Sequence, residues 1–138
     1  PEYRAMRVES GLAEYGLIVT GGVFVLRPTA ACGMALNGRW RPIAPWSIPR
    51  THACSAILED EDGQPEMWVM GGRDGDNVRG AVEAYNPRTN EWRSCLSLSL
   101  RRARAVTGVV GWRLCVAGGW DGDDGGRFTS VEAYTPKG

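Results

Sequence analysis

Two stretches of the chain say nearly the same thing: MWVMGGRDGDNVRGAVEAYNPRTNEW, from Met67 to Trp92, and LCVAGGWDGDDGGRFTSVEAYTPKG, from Leu114 to Gly138. Gly71-Gly72 returns as Gly118-Gly119, an offset of 47, and Val82-Glu83-Ala84-Tyr85 returns as Val131-Glu132-Ala133-Tyr134, an offset of 49. Backwards the pattern is fainter. Gly21-Gly22 stands fifty residues before Gly71-Gly72, and Trp40 precedes Trp92 by 52. Arg41, Ser47, Arg50 and Ala53 match Arg93, Ser99, Arg102 and Ala105 at that same offset of 52. A period near fifty residues means one supersecondary unit used repeatedly, each unable to bury its apolar face alone.

Each unit reads as a set of short strands. MWVM and RLCV are apolar runs that stop at Gly-Gly. AVEAY and SVEAY alternate, Val and Ala on one face, Glu and Tyr on the other, which is the period of a strand. Asn86-Pro87 and Thr135-Pro136 then end the ladder, because proline brings no N–H and presets a turn. NEWRSCL opens a further strand, and ACSAIL and AVTGVV open the second and third units. No helical periodicity appears anywhere, so the chain is expected to be all-β, one four-stranded antiparallel meander per unit. The units run over 1–49 (degenerate), 50–101, and 102–138, the last cut before its final strand.

Gly-Gly at a strand end, then Asp-Gly, Val-Glu-Ala-Tyr, Trp and Arg-x-Arg, in that order and spacing, resembles the kelch repeat. The resemblance implies that each unit is a blade of a β-propeller. The second unit and the third carry it strongly; the first matches only at Gly21, Gly22, Trp40 and the segment after Trp40. Where a tyrosine is expected in that first unit, near position 33, stands Gly33. The physics of the motif is independent of the family. Blades crowd near their common axis, which favours Gly71, Gly72, Gly118 and Gly119, whereas Tyr85, Trp92 and Tyr134 fill the wider outer gap. Propellers close with roughly four to eight blades. About three blades therefore point to part of a larger propeller, or to copies that complete a ring.

Composition removes several functions. Among 138 residues, 16 basic and 16 acidic side chains cancel, so no long-range field favours nucleic acid or an anionic membrane. No apolar run approaches the ~20 residues of a membrane span. Cys32, Cys54, Cys95 and Cys115 are widely spaced and read as buried thiols of a reducing, cytoplasmic setting. His52 is the sole histidine, too few for a structural zinc or for the copper site of kelch-fold oxidases. The Asp-Gly-Asp turns lack the layout of a calcium loop and read as turn chemistry, and Glu59 to Gly63, EDEDG, reads as an inserted hairpin tip. No nucleophile–base motif is present, so neither catalytic residues nor cofactor or metal are assigned.

In kelch propellers that bind peptides, the resemblance implies, residues after Gly-Gly and in the Arg-x-Arg segment reach the binding face. Here these are Arg73 and Trp120, with Asn77 and Arg79 in the loop beyond, and Arg50, His52, Arg102 and Arg104 in PRTH and RRAR. Arginines beside a tryptophan suit an acidic or phosphorylated peptide, since guanidinium bonds carboxylate and phosphate through two parallel donors. Arg50 and Arg102 also have a plainer reading, as partners of Glu83 and Glu132 between units, and Trp46 one as loop packing. The resulting expectation is a protein-binding module. The resemblance implies the substrate-recognition part of an adaptor in a cullin-type ubiquitin ligase, joined through segments outside this sequence. A cytoskeletal scaffold of the actin-binding kind and a degenerate relative of kelch-fold enzymes are the alternatives.

Overall fold

A computed structural model describes residues 4–7, 17–20, 23–24, 27–28, 32–36, 39–124 and 126–135. It is all-β: among the described residues there is no helix. The first sheet pairs β1 (Arg4–Arg7), β2 (Leu17–Thr20), β5 (Cys32–Leu36) and β6 (Arg39–Ile43) in that order, all antiparallel. A two-residue ribbon, β3 (Val23–Phe24) with β4 (Arg27–Pro28), lies between β2 and β5 in the chain. The second sheet has the order β12-β11-β8-β7, from β7 (Cys54–Glu59), β8 (Pro65–Met70), β11 (Val82–Asn86) and β12 (Glu91–Cys95). Its ribbon is β9 (Arg73–Asp74) with β10 (Asn77–Val78). The third sheet has three described strands, β13 (Val106–Val110), β14 (Arg113–Ala117) and β15 (Val131–Tyr134).

The alternation in the two VEAY segments decides how the sheets stack. Val82 and Ala84 face the third sheet and join Cys54, Leu58, Trp68 and Met70 against Ala105, Leu114, Val116 and Tyr134. Tyr85 faces the first sheet, with Met67 and Val69, against Cys32, Met34, Ile43 and Trp46. The second sheet is thus buried on both faces, and every residue of β8 is inaccessible. Strand β7 lies against both β1 and β13, and Thr107 of β13 donates to the Ser55 carbonyl of β7 at 2.6 Å. Successive sheets therefore stand side by side like blades.

The register revises one detail. The first unit, degenerate in its motif residues, has a four-stranded sheet like the second. Its counterpart of Tyr85 is Ala35 rather than Gly33: Tyr85 lies opposite Trp92, and Ala35 lies opposite Trp40. Extrapolating the offset of 52 backwards misplaced that position, because the offset slips within the unit.

Trp92 and Trp40 occupy matching places with different fates. Trp92 is half-buried, its ring 5.0 Å from Tyr85 and 6.0 Å from Trp46, with its indole N–H donated to the Ala44 carbonyl. Trp40 is 61% exposed, and the residue opposite it is Ala35 where Trp92 has the ring of Tyr85. Gly21 and Gly22 lie outside the described residues.

On the far face of the third sheet, Val106, Val110 and Val131 are exposed. By register, Val106 and Val131 flank Ala117 as Cys54 and Val82 flank Met70 in the second sheet. The open face thus repeats the face that the second sheet buries.

Candidate functional site

The connectors that lead from one sheet into the next, residues 44–53 and 96–105, run over the ends of β8 and β14 where the glycine pairs stand. Gly71 and Gly118 share a φ of 65°, and Gly72 and Gly119 one of 98°, so the two units repeat even in torsion. A Cβ on Gly72 would lie 2.7 Å from the Thr51 carbonyl oxygen, and one on Gly119 2.7 Å from that of Ala103. The amide of Gly72 donates to the Arg102 carbonyl at 2.7 Å. Glycine is required because backbone passes over backbone.

Each connector is latched by one arginine and one glutamate. Arg50 is fully buried; it donates to the carbonyls of Gly71 (3.2 Å) and Ala81 (3.1 Å) and to Glu83 at 2.6 Å. The other oxygen of Glu83 accepts the Ser47 amide at 3.0 Å. Trp46 covers the guanidinium at 4.7 Å. Burial pulls the Arg50 guanidinium below its ordinary value, with Glu83 opposing. The third unit copies the arrangement. Arg102 donates to Glu132 at 3.0 Å and to the carbonyls of Gly118 and Ser130, and Glu132 accepts both the amide and hydroxyl of Ser99. Burial alone would raise the Glu132 carboxyl, but the Ser99 and Arg102 hydrogen bonds outweigh it and hold the group below the usual carboxylate range. Both arginines point inward, into the sheet that each connector enters rather than between units. They lie buried beneath the rim and hold its backbone together.

The remaining candidates stand on that rim, at the end of the strands where connectors and glycine loops meet. Arg73 lies 5.4 Å over the Trp120 ring, which it reaches across the gap between the second and third units. Its Nε is tied to the Gly75 carbonyl at 2.7 Å. Trp120 is fixed by backbone bridges to Ala103 and Arg127 and by its own N–H on the Asp123 carbonyl. Arg79 sits 3.5 Å from Asp74, and Asn77 is exposed in the β9–β10 ribbon. His52 and Arg104 are matched residues, both left-handed at φ 56° and 59°, joined by the Arg104 amide on the His52 carbonyl. Left-handed residues with side chains cost of order 1–3 kcal/mol, so their repetition marks a fixed geometry. The His52 ring meets the Thr51 hydroxyl at 2.8 Å.

Sequence reasoning missed Arg127, whose guanidinium lies 6.0 Å from the Trp120 ring. It falls where the offset slips from 47 to 49, so no repeat partner points to it. Arg73 and Arg127 thus both approach the Trp120 ring, gathering two guanidinium groups around one indole, a chemistry that suits carboxylate or phosphate. Among the described residues, no three His, Cys, Asp or Glu side chains gather as a metal would require.

Comparison with known proteins agrees with this architecture. The Kelch motif model matches residues 64–98. The chain is 32% identical over 106 residues to an F-box protein, AFR, of Arabidopsis thaliana, covering 75% of this chain and 27% of the relative. It is 34% identical over 71 residues to Kelch-like protein 4 of Homo sapiens, covering 51% and 9% respectively. The chain thus spans about a quarter or less of the length of these relatives. Among solved structures, a fungal alcohol oxidase in complex with copper superposes on 97% of the chain and 31% of its own, with a TM-score of 0.78. At 14% identity that likeness concerns the fold alone.

Proposed function

As a run of kelch repeats folded into propeller blades, this chain is, we propose, a protein-interaction module that holds an acidic segment of a partner against its arginine and tryptophan rim. The stack of Arg73 on Trp120 carries this reading. The indole holds the guanidinium in place across the gap between units, so little side-chain freedom is lost when a carboxylate or phosphate arrives. Trp and Arg are also the residue types that dominate binding hot spots. Arg104, His52, Asn77 and Arg79 extend the same rim. Arg50 and Arg102 support it from beneath.

The finer reading is substrate recognition for a ubiquitin ligase in the cytoplasm, with the ligase contacts made by other parts of the protein. Its support is the likeness to an F-box protein and to a kelch-like protein. Catalysis has no comparable support, since the resemblance to an oxidase extends to backbone only.

The test is capture of synthetic peptides by the immobilised chain. A Glu-rich peptide is expected to bind more tightly than its Gln counterpart, and Arg73→Ala and Trp120→Ala each to weaken it by about tenfold, the effect of a charge-assisted contact of ~1.4 kcal/mol. Equal capture by both variants rejects the rim as the binding surface.

A further inference from the structure

The stack of Arg73 on Trp120 joins two loops that belong to different units. Near the sheets, backbone bonds fix both bases: Arg73 pairs with Thr51, and Trp120 with Ala103. Further out, the two loops meet at Val78 and Gly122. Val78 stands directly opposite Arg73 in the β9–β10 ribbon, and it is buried although its neighbour Asn77 is exposed. The point where a side chain on Gly122 would begin lies 3.2 Å from a Val78 methyl and 3.9 Å from the Asp76 carbonyl oxygen. Gly122 has a φ of 109°, a torsion that glycine adopts without strain. The bare backbone of the third unit's loop is therefore seated against the valine.

From that contact, short links lead to both members of the stack. Gly122 lies between Trp120 and Asp123, and the Asp123 carbonyl accepts the indole N–H at 2.6 Å, which orients the ring. On the other side, Arg73 lies across the ladder from Val78, and its Nε is held by the Gly75 carbonyl of the same loop at 2.7 Å.

We propose that Val78 is a positioning residue for the acidic-partner site: seated against Gly122, it holds the two loops at the separation that lays the Arg73 guanidinium over the Trp120 ring. The role rests on the function proposed above and adds what sets the affinity of that site. A guanidinium held over the ring beforehand loses less freedom when an anion arrives, and that gain disappears if the loops part. The exposed Asp76 carboxylate, 3.8 Å from Arg73, then competes for the released cation.

The test is a double-mutant cycle read by capture of the Glu-rich peptide, with each variant shown to be folded by circular dichroism. Val78→Ala is expected to weaken binding about two- to tenfold, the factor that ordering one long side chain costs. In the Arg73→Ala chain the same substitution should weaken it no further, because the group it positions is gone. Val78→Thr keeps the branched shape while placing a hydroxyl in a buried site. It should lower the melting temperature and yet restore binding, which a purely structural role would not allow. Equal losses from Val78→Ala with and without Arg73 overturn the proposal, as does undiminished binding in Val78→Ala. A second readout needs no ligand. The Trp120 indole signal of the 15N-labelled chain, identified by its loss in Trp120→Ala, should shift in Arg73→Ala and to the same side in Val78→Ala. If the parent chain captures no peptide, the rim reading fails, and the indole signal still decides the positioning: a signal unmoved by Val78→Ala overturns it.

Discussion

Arg50 donates to Glu83 at 2.6 Å, with both side chains withdrawn from water. The pair joins the connector leaving the first sheet to the third strand of the second sheet. Removing one partner leaves a buried charge alone, which costs about 3–5 kcal/mol. Glu83→Ala is therefore expected to lower the denaturation free energy by that amount. The matching pair, Arg102 with Glu132, has a partly exposed carboxylate, so Glu132→Ala should cost less. Equal, small losses at both sites would contradict the latch.

Acid should weaken the second latch. The folded Glu132 carboxyl lies below its ordinary range. A carboxyl of that kind contributes stability above its unfolded value, about 4.3, and loses it as pH falls through the lower folded value. Urea midpoints measured from pH 6 downwards should decline below about pH 4, and Glu132→Gln should flatten that decline. An identical slope in the variant would rule the contribution out.

The glycine pair can be separated from ordinary turn glycines. Gly72→Ala places a methyl against the Thr51 carbonyl at a left-handed φ, combining steric overlap with backbone strain, about 3 kcal/mol or more. Gly75 has a similar torsion but open space around it, so Gly75→Ala should cost only about 1 kcal/mol. Thermal melting of the two variants side by side checks the difference.

Two tryptophans at matching positions should respond differently. Trp92→Ala removes the ring wedged beside Tyr85 and Trp46 together with its bond to Ala44, and about 3 kcal/mol is expected. Trp40→Ala, at an exposed site, should change stability by less than about 0.5 kcal/mol. Comparable losses would mean that Trp40 is covered in solution.

The open face of the third sheet predicts self-association. Val106, Val110 and Val131 present an apolar surface that the second sheet buries in the matching place. Light scattering should show mass rising with concentration, and Val131→Lys with Val110→Lys should suppress the rise while circular dichroism keeps its β signature. No change in association would indicate that this face is already covered.

Much of the fold was legible because alternation is a local signal. Val82 and Ala84 face one way and Glu83 and Tyr85 the other, as their order in the sequence implies, and the glycine pairs announce the crowded end of each sheet. What stayed hidden depends on distant segments. Trp40 and Trp92 carry the same letter, yet the residue across the strand from each, Ala35 against Tyr85, is set by a register that the repeat spacing does not reveal. Arg127 escaped because it stands where repeat spacing slips. Arg50 and Arg102 carry the same letters whether they face a ligand or a glutamate. Only depth of burial separates the two.

The Ser47–Arg50–Glu83 latch also governs how such a molecule tolerates being cut or grafted. Duplication copied lengths of about fifty residues, yet the serine and arginine sit upstream of the sheet whose glutamate they satisfy. A transplant beginning at Cys54 would bring every strand of its blade and still strand an anion in the interior. The transferable piece begins seven residues earlier, at Ser47, so the seam of inheritance and the seam of folding do not coincide.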